Sequence, residues 1–477
     1  MKRCYIEYGC ILIVAYFFIT IFSYTTSPLY HVWGNTPDSP IFQIIGKYWS
    51  RGVLPYKDLW DLKGPYIFFV NALGYSMTGT KIGIYILQII FLFLTLITIY
   101  KIFLLYLNHS LSLFFTLLSL AGLSYIYEGG NLTEEYILFP LTLSFYYIIQ
   151  WIDKYEKDNN PYHNELHTVI YGIVFGLCLM SRLTNALALC AAVGVIAIVL
   201  LWRKEYKNLL MNILYFLIGF IISASPFFLY FYLHDAFFDM WNGTFLFPLE
   251  YVTNSSMDIL HIGIHYFILS YLNCILLIYV VVLMIRKNKI INVRIVLYMM
   301  SAIIPFIWFC YGNGFGHYGM IVYPLFALII LELKKMKSTY LFYVISLIVI
   351  VGAASKIRFM YDMYHWDNKE VRDCHDFLKN ENVIDYSSFV AYNCDPNLYL
   401  AEDIQPAVPV FSLQEMGGER ISRWNKFLLS LFIKKQPKWV LVKRPDSNNM
   451  IIQPILDKNY IIQKNDIKKQ LELYRKK

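Results

Sequence analysis

Charged residues are scarce in this chain of 477 amino acids: Asp, Glu, Lys and Arg make up 16% of it, whereas hydrophobic residues make up 58%. A soluble domain rarely exceeds about 50% apolar content, so this composition excludes an ordinary water-soluble protein. The chain also lacks a basic helix, an RNA-binding signature and zinc-ligand spacing, and we therefore expect no nucleic-acid partner. No internal repeat stands out, which disfavours transporter folds that are built from duplicated halves.

Cysteine is also sparse, with eight residues in the chain. Six of them are scattered through or beside apolar segments, where Cys is an ordinary small apolar residue. Cys374 and Cys394 lie in the more polar C-terminal part of the chain. They could form a disulfide if that part lies in an oxidising compartment.

Long apolar runs are what the chain has in abundance. Runs of roughly 17–25 residues recur, and each is long enough to cross about 30 Å of hydrocarbon. A run that breaks at residues 181–185 predicts two spans joined by a tight hairpin tip, and the short stretch 65–79 predicts an interfacial or re-entrant helix. We predict a polytopic α-helical membrane protein with about eleven spans, near residues 8–27, 82–107, 110–127, 135–152, 167–181, 184–202, 208–230, 261–285, 294–311, 318–333 and 339–355.

The loop cations predict the orientation of these spans. Most Lys and Arg residues fall in one alternate set of loops, which the positive-inside trend assigns to the cytoplasm. The loop at 28–81 then lies on the outer side, as does the chain after about residue 356. The first span is too long for a signal-peptide core and is followed by no small-residue cleavage site, so we predict a retained anchor.

The C-terminal part changes character, because charged residues become frequent and apolar runs shrink to strand length. We predict a membrane domain, residues 1–355, and a small extracytoplasmic α/β domain, residues 356–477, that closes on the outer loops. Its predicted strands are 389–392, 408–411 and 439–442, and its predicted helices are 371–378 and 424–433.

The first outer loop is dense in opposed charge, which is typical of a site for an anionic headgroup. It contains three acids and four cations: Asp38, Asp58, Asp61, Lys47, Arg51, Lys57 and Lys63. Contact with anionic lipid, with Trp49 and Trp60 as interfacial anchors, would explain most of the cations. It explains the acids poorly, because a carboxylate gains nothing beside such a surface.

The loop sequence after Gly52 carries a family resemblance. The pattern of a leading acid, a helix, and then Gly-x-x-Pro-Tyr-x-Asp-x-Trp-Asp-x-Lys-x-Pro over residues 52–65 resembles the first external loop of bacterial GT-C glycosyltransferases. These are polytopic enzymes related to protein O-mannosyltransferases and to the lipid A aminoarabinose transferase (glycosyltransferase family 39-type). Gly64 stands where the family usually has Pro, and Ser39 where it often has a second acid, so a paired-acid metal site does not follow.

Two further segments resemble the same family. Residues 129–136 open the fourth span with Glu134 and Glu135, and Phe315-Gly-His317-Tyr318 is similar to a late His-Tyr element. Each has another explanation. Acids at a helix N-terminus complement the helix dipole, and His317 could be interfacial. Arg182, at the predicted hairpin tip, is isolated among apolar neighbours, where a cation usually has a partner or a function, although it could also snorkel.

The resemblance implies roles for these residues in sugar transfer from a polyprenyl phosphate. An acceptor hydroxyl needs a general base, which by resemblance is Asp38. The departing phosphate needs cations, for which Lys63 is the first candidate and Arg182 and His317 are helpers. The remaining residues would bind substrate: Tyr56, Asp58, Asp61, Glu134, Glu135 and Tyr318.

The predicted function is therefore that of an inverting GT-C glycosyltransferase at the outer face of a bacterial inner membrane. Its partners would be membrane lipid, a polyprenyl-phosphate-linked sugar and a glycan, lipid or protein acceptor. No particular cofactor is indicated, and a divalent metal stays open. The alternatives are a transporter or flippase of lipid-linked saccharide, and a non-catalytic envelope assembly protein.

Overall fold

The computed structural model describes residues 2–30, 38–254, 271–289, 291–311, 315–336, 339–379, 385–417, 422–444 and 450–477. Helices dominate this part of the chain, and the strands lie near its C-terminus. The α-helices are α1 Lys2–Phe22, α2 Asp38–Trp49, α3 Pro65–Thr78, α4 Ile82–Leu104, α5 His109–Ile126, α6 Thr133–Asp158, α7 Glu165–Leu179, α8 Leu187–Trp202, α9 Tyr206–Leu233, α10 Phe237–Trp241, α11 Phe247–Asn254, α12 Leu272–Asn288, α13 Val293–Tyr311, α14 Leu325–Lys335, α15 Thr339–His365, α16 Lys369–Lys379, α17 Asn397–Ala401, α18 Ser422–Lys435 and α19 Gln453–Asn459.

Helices long and apolar enough to cross a membrane confirm the predicted membrane class. Seven qualify within the described residues, or eight if the bent pair Gly316–Val322 and Leu325–Lys335 counts as one span. That pair bends by 55°, where Pro324 has no N–H to continue a helix. The protein is a multi-pass α-helical membrane protein, and the predicted number of eleven is approximate.

The remaining three predicted spans also fall on helices, but these helices are not both long enough and apolar enough to qualify as membrane spans. They are α6, the shorter α7, and α12, which follows residues outside the described part of the chain. The predicted break at 181–185 is present: α7 ends at Leu179, and a 3-10 turn over Leu183–Ala186 precedes α8. The predicted helix at 65–79 is α3, which Pro65 begins and Gly79 ends with φ +71°.

The described chain divides into two compact units. The first comprises Met1–Ser23, Ile86–Leu229 and Met257–Asp362, and the second comprises Tyr24–Tyr85, Tyr230–Ser256 and Met363–Lys477. The outer loop and the C-terminal segment therefore belong to one unit. The predicted domain boundary near residue 355 stays a prediction.

The second unit contains a four-stranded sheet. Its strands are β1 Phe389–Tyr392, β2 Trp439–Lys443, β3 Tyr460–Asp466 and β4 Leu471–Lys476, in the order β1-β2-β4-β3. β1 pairs with β2 in parallel, with Val390 opposite Val440, and the other pairs are antiparallel. The prediction of an α/β segment with strands at 389–392 and 439–442 and helices at 371–378 and 424–433 is confirmed.

The predicted strand at 408–411 is wrong. Val408, Val410 and Phe411 are buried, which accounts for their apolar pattern, but Pro409 lacks the N–H that a ladder needs. The Pro409 carbonyl instead accepts a hydrogen bond from the Trp60 N–H at 2.8 Å. The predicted strands do not include β3 and β4. β3 is largely exposed, and in β4 the buried Leu471, Leu473 and Tyr474 form an apolar alternation that is only four residues long and lies among charged residues.

Cys374 and Cys394 are both free and buried within the second unit. A hydrogen bond with the Cys374 thiol, together with burial, raises the pKa of Cys394 well above its usual value. The thiols therefore lie in contact, and their pairing as a disulfide stays a prediction.

Candidate active site

The first candidate residue, Asp38, begins helix α2 in the second unit. The apolar residues Ile41, Ile44 and Ile45 recur at helical spacing and are fully or almost fully buried, which explains why this segment is helical. Asp38 lies in the first helical turn, where the helix dipole favours a carboxylate.

The loop between α2 and α3 is a tight turn rather than a helix. Tyr56 adopts φ +68°, which is unusual for a residue with a side chain. Its N–H bonds the Leu59 carbonyl at 2.6 Å, and the Asp58 carboxylate accepts the Leu54 N–H at 3.2 Å. Asp58, expected to bind substrate, therefore holds the turn.

Lys63 is held on both sides of its own backbone. Its N–H donates to the Asp61 carboxylate at 3.2 Å, and its carbonyl accepts from the Tyr56 hydroxyl at 2.7 Å. The Tyr56 hydroxyl in turn accepts from Thr244 at 3.1 Å. A Cβ at Gly243 would lie 2.6 Å from the Tyr56 ring, so only glycine fits there without displacement. Tyr56 and Asp61, both expected to bind substrate, thus position Lys63.

The Lys63 ammonium lies 4.0 Å from the Asp38 carboxylate, and their side chains keep 20% and 30% of their exposure. Asp61 beside them is buried, with 6% exposure. Burial raises the pKa of Asp61 to about 6; the Lys63 ammonium opposes this rise and the Asp38 carboxylate adds to it. The structure therefore brings Asp38, Asp61 and Lys63 into one electrostatic group with two partly accessible members.

The other cations of the loop have protein partners. Lys47 pairs with Asp403 at 2.7 Å, and Arg51 reaches the same carboxylate at 3.5 Å. The Trp49 indole donates to the Tyr230 hydroxyl at 2.7 Å. Lipid contact is therefore an incomplete account of Lys47, which is only 8% exposed, and of Trp49.

Trp60 ties the loop to the C-terminal segment of the same unit. Its ring lies 5.0 Å from the rings of Phe247 and Trp424, measured between centroids. Together with the bond from its N–H to Pro409, this aromatic cluster fixes the loop on the residues that the sequence predicted would close on it. An interfacial anchor would not have this burial, and Trp60 is 7% exposed.

A second group of candidate residues lies in the first unit. The Arg182 guanidinium pairs with Glu134 at 3.3 Å and lies 3.3 Å from the centroid of the Tyr318 ring. The Glu134 side chain is 1% exposed and that of Arg182 is 23% exposed. Arg182 thus has the partner that its apolar surroundings predicted, and it is not a snorkelling side chain without one.

Glu135 has different surroundings. Its carboxylate accepts from the Gln88 amide at 3.0 Å, from the Asn131 N–H at 2.8 Å and from the Tyr127 hydroxyl. Of the two adjacent acids, Glu134 is the one beside Arg182 and Tyr318, while Glu135 holds the loop that precedes α6.

His317 pairs with an acid that the sequence analysis did not single out. Its Nδ1 lies 2.6 Å from the Glu128 carboxylate, and the residue is 9% exposed. Glu128 immediately precedes Gly129, the first residue of the segment 129–136 that resembles the family. Its position next to that segment was the only sequence signal for it. A purely interfacial role for His317 does not account for its pairing with the partly buried Glu128.

Metal ligands do not cluster in the described part of the chain: no group of three or more His, Cys, Asp or Glu side chains there could hold an ion. The metal dependence that the sequence left open is not decided by this finding.

No family model and no curated protein matches the chain. Among solved structures it is similar to an oligosaccharyltransferase of Archaeoglobus fulgidus, with 12% identity, 91% of this chain and 68% of that chain covered, and a TM-score of 0.46. The same archaeal enzyme, in complex with an inhibitory peptide and a dolichol-phosphate, matches with 10% identity over 91% of this chain and 69% of that one, at a TM-score of 0.45. Likenesses at this level do not assign a function.

Proposed function

We propose that the protein is a membrane glycosyltransferase of the GT-C type. It would move a monosaccharide from a polyprenyl-phosphate donor to a glycan, lipid or protein acceptor at the outer face of a bacterial inner membrane. The observation that carries this proposal is the partly exposed Asp38–Lys63 pair, which Asp61 and Tyr56 hold in place through the Lys63 backbone.

Such a pair supplies the two things that the transfer needs. The acceptor hydroxyl attacks the anomeric carbon of the donor, and Asp38 takes its proton as the new carbon–oxygen bond forms. The bond from that carbon to the phosphate oxygen breaks, and the polyprenyl phosphate leaves with the electron pair. Lys63 stabilises the charge on the departing phosphate. A single displacement of this kind inverts the anomeric configuration.

The partial exposure of both side chains supports this assignment. An ion pair that serves only the fold gains from close contact and enclosure, whereas these groups are 4.0 Å apart and retain 20% and 30% of their exposure. Because hydrogen bonds to Asp61 and Tyr56 hold the backbone of Lys63, its ammonium can contact a ligand while the residue stays in place. Arg182 and His317 stay candidates for the donor phosphate, and Glu134 and Tyr318 stay candidates for substrate.

Transfer of radiolabelled sugar by purified full-length protein, offered a panel of polyprenyl-phosphate sugars with and without chelator, tests the proposal. Asp38→Asn should lower the turnover number by about a hundred- to ten-thousandfold, since general-base catalysis contributes that much, while the thermal unfolding temperature stays within a few degrees.

Asp385→Asn is the matched control. Asp385 also pairs with a lysine in the second unit, at 3.0 Å from Lys438, and its replacement should leave transfer unchanged. Near-normal transfer by Asp38→Asn would remove Asp38 as the base. A wild-type protein that transfers no sugar from any donor in the panel, but moves a lipid-linked saccharide across vesicles, would favour the flippase alternative.

A further inference from the structure

Glu128 projects from a loop that the fold holds rigidly. The loop joins α5 to α6, and three consecutive residues in it, Gly129, Gly130 and Asn131, have positive φ. A side chain at Gly130 would overlap Ser23 and Gln88, so the chain must run close to its neighbours there. The Glu135 carboxylate pins the same loop through the Asn131 N–H.

The imidazole ring of His317 is enclosed on several sides. Its ring lies 5.8 Å from Phe315 at an interplanar angle of 18°, and 4.5 Å from Tyr318 at 81°, measured between centroids. The 2.6 Å contact of Nδ1 with Glu128 fixes the remaining rotation. Among the residues that the structure describes, no hydrogen bond to Nε2 is present, so Nε2 is the ring atom left to meet a ligand.

The same Tyr318 ring that flanks His317 also lies beneath the Arg182 guanidinium. The two candidate cations therefore share one aromatic residue, and each has its own carboxylate: Glu134 for Arg182 and Glu128 for His317. A carboxylate that accepts from one ring nitrogen sets which edge of a histidine faces outward. The Arg182 guanidinium is a fixed donor for a phosphate oxygen. Nε2 of His317 is a second donor when the ring carries both protons, since Nδ1 already donates to Glu128.

We propose that Glu128 is a positioning residue that holds His317 so that Nε2 faces the anionic phosphate of an isoprenyl phosphate. The inference rests on the proposed function in taking that anion to be the donor phosphate. Glu128 acts through His317 and has no contact of its own with the ligand.

A double-mutant cycle on the full-length protein tests this coupling. The measured quantity is the affinity for a short-chain isoprenyl monophosphate, from thermal stabilisation in detergent as the ligand is titrated. Glu128→Gln and His317→Gln should each weaken binding by about ten- to a hundredfold, the range of a charge-assisted hydrogen bond. The double variant should bind no more weakly than His317→Gln alone, and Glu128→Asp should recover part of the loss.

Glu7→Gln is the matched control, because Glu7 is another buried acid in the first unit that pairs with a histidine, at 3.0 Å from His109 Nδ1. It should leave the affinity unchanged. Independent, multiplying losses in the double variant would overturn the inference, as would unchanged affinity in Glu128→Gln or absence of binding by the wild type. Sugar transfer is measured separately, so wild-type binding without transfer would count against the proposed function and not against this pair.

Discussion

The two acid–cation pairs at the centre of this protein's candidate chemistry differ in how much of their charge is enclosed. In the second unit, Asp38 and Lys63 are 4.0 Å apart and both partly exposed. In the first unit, Glu134 is 1% exposed and lies 3.3 Å from Arg182, whose other face covers a tyrosine ring. Arg182 is itself 23% exposed, much like Lys63. The two pairs therefore differ in their acids: Asp38 is open to a substrate, whereas Glu134 is enclosed.

This difference determines what a substitution can reveal. A partly exposed pair contributes about 0–1 kcal/mol to stability, so the loss of one member reports mainly on chemistry. Removal of one member of a buried pair leaves an uncompensated charge and destabilises by about 3–5 kcal/mol. If a variant of the buried pair loses activity, a second substitution that removes the uncompensated charge is needed to separate lost chemistry from lost stability.

Among the three substitutions that test this comparison, Lys63→Met should give the largest effect on activity, with little effect on stability. Loss of a fixed charge that stabilises a transition state costs about a hundred- to a thousandfold in turnover, while the backbone bonds of residue 63 to Asp61 and Tyr56 do not depend on its side chain. Initial rates at saturating donor and thermal unfolding in detergent measure the two quantities. Lys438→Met, at the exposed pair with Asp385, serves as the control. A large drop in unfolding temperature for Lys63→Met would show that the Asp38–Lys63 pair supports the fold as the Glu134–Arg182 pair does.

Arg182→Met should destabilise the protein by about 3–5 kcal/mol, because the buried Glu134 carboxylate loses its cationic partner and keeps only the Thr133 hydroxyl among its described side-chain partners. The double variant Arg182→Met/Glu134→Gln should recover most of that stability. If Arg182 also binds the donor phosphate, the affinity of the double variant for the donor should still be at least tenfold lower than that of the wild type. Unfolding temperature and the donor KM, measured on the same preparations, check this. Full recovery of both the unfolding temperature and the donor KM would show that the pair is purely structural.

Asp61→Asn should change sugar transfer least, and its effect is visible mainly in how stability depends on pH. The pKa of Asp61 rises from 3.8 to about 6 in the fold, so the folded state binds the proton more tightly than the unfolded chain. Stability falls as pH rises from about 4 to about 6 and is constant above, by roughly 3 kcal/mol in all. Asn keeps an oxygen for the Lys63 N–H and removes this dependence.

Thermal unfolding at pH values from 4 to 8 measures the difference between wild type and Asp61→Asn. The variant should match the wild type near pH 4 and exceed it above pH 7, while transfer at pH 8 changes less than tenfold. A stability difference that is independent of pH would show that the buried carboxylate does not titrate in this window.

Much of this architecture could be read from periodicity. The membrane helices, the break near residue 182, the helix at 65–79 and the strands at 389–392 and 439–442 follow from apolar runs and from the residues that end them. Apolar periodicity could not exclude the strand at 408–411. A buried apolar run has the same sequence pattern whether it joins a sheet or contacts a loop, as Pro409 does. β3 was not predicted because a largely exposed strand carries little apolar alternation, and β4 was not predicted because its alternation spans only four residues.

The sequence by itself determined which residues are candidates for the chemistry, since acids and cations in so apolar a chain are few and each needs a reason to be there. Only the tertiary structure decided their partners. It separated Glu134, beside Arg182, from Glu135, which holds a loop, and it brought Glu128 to His317 across 189 positions of sequence. The physical reason is that charge and polarity are properties of a residue, whereas an ion pair depends on a distance that only the folded chain sets.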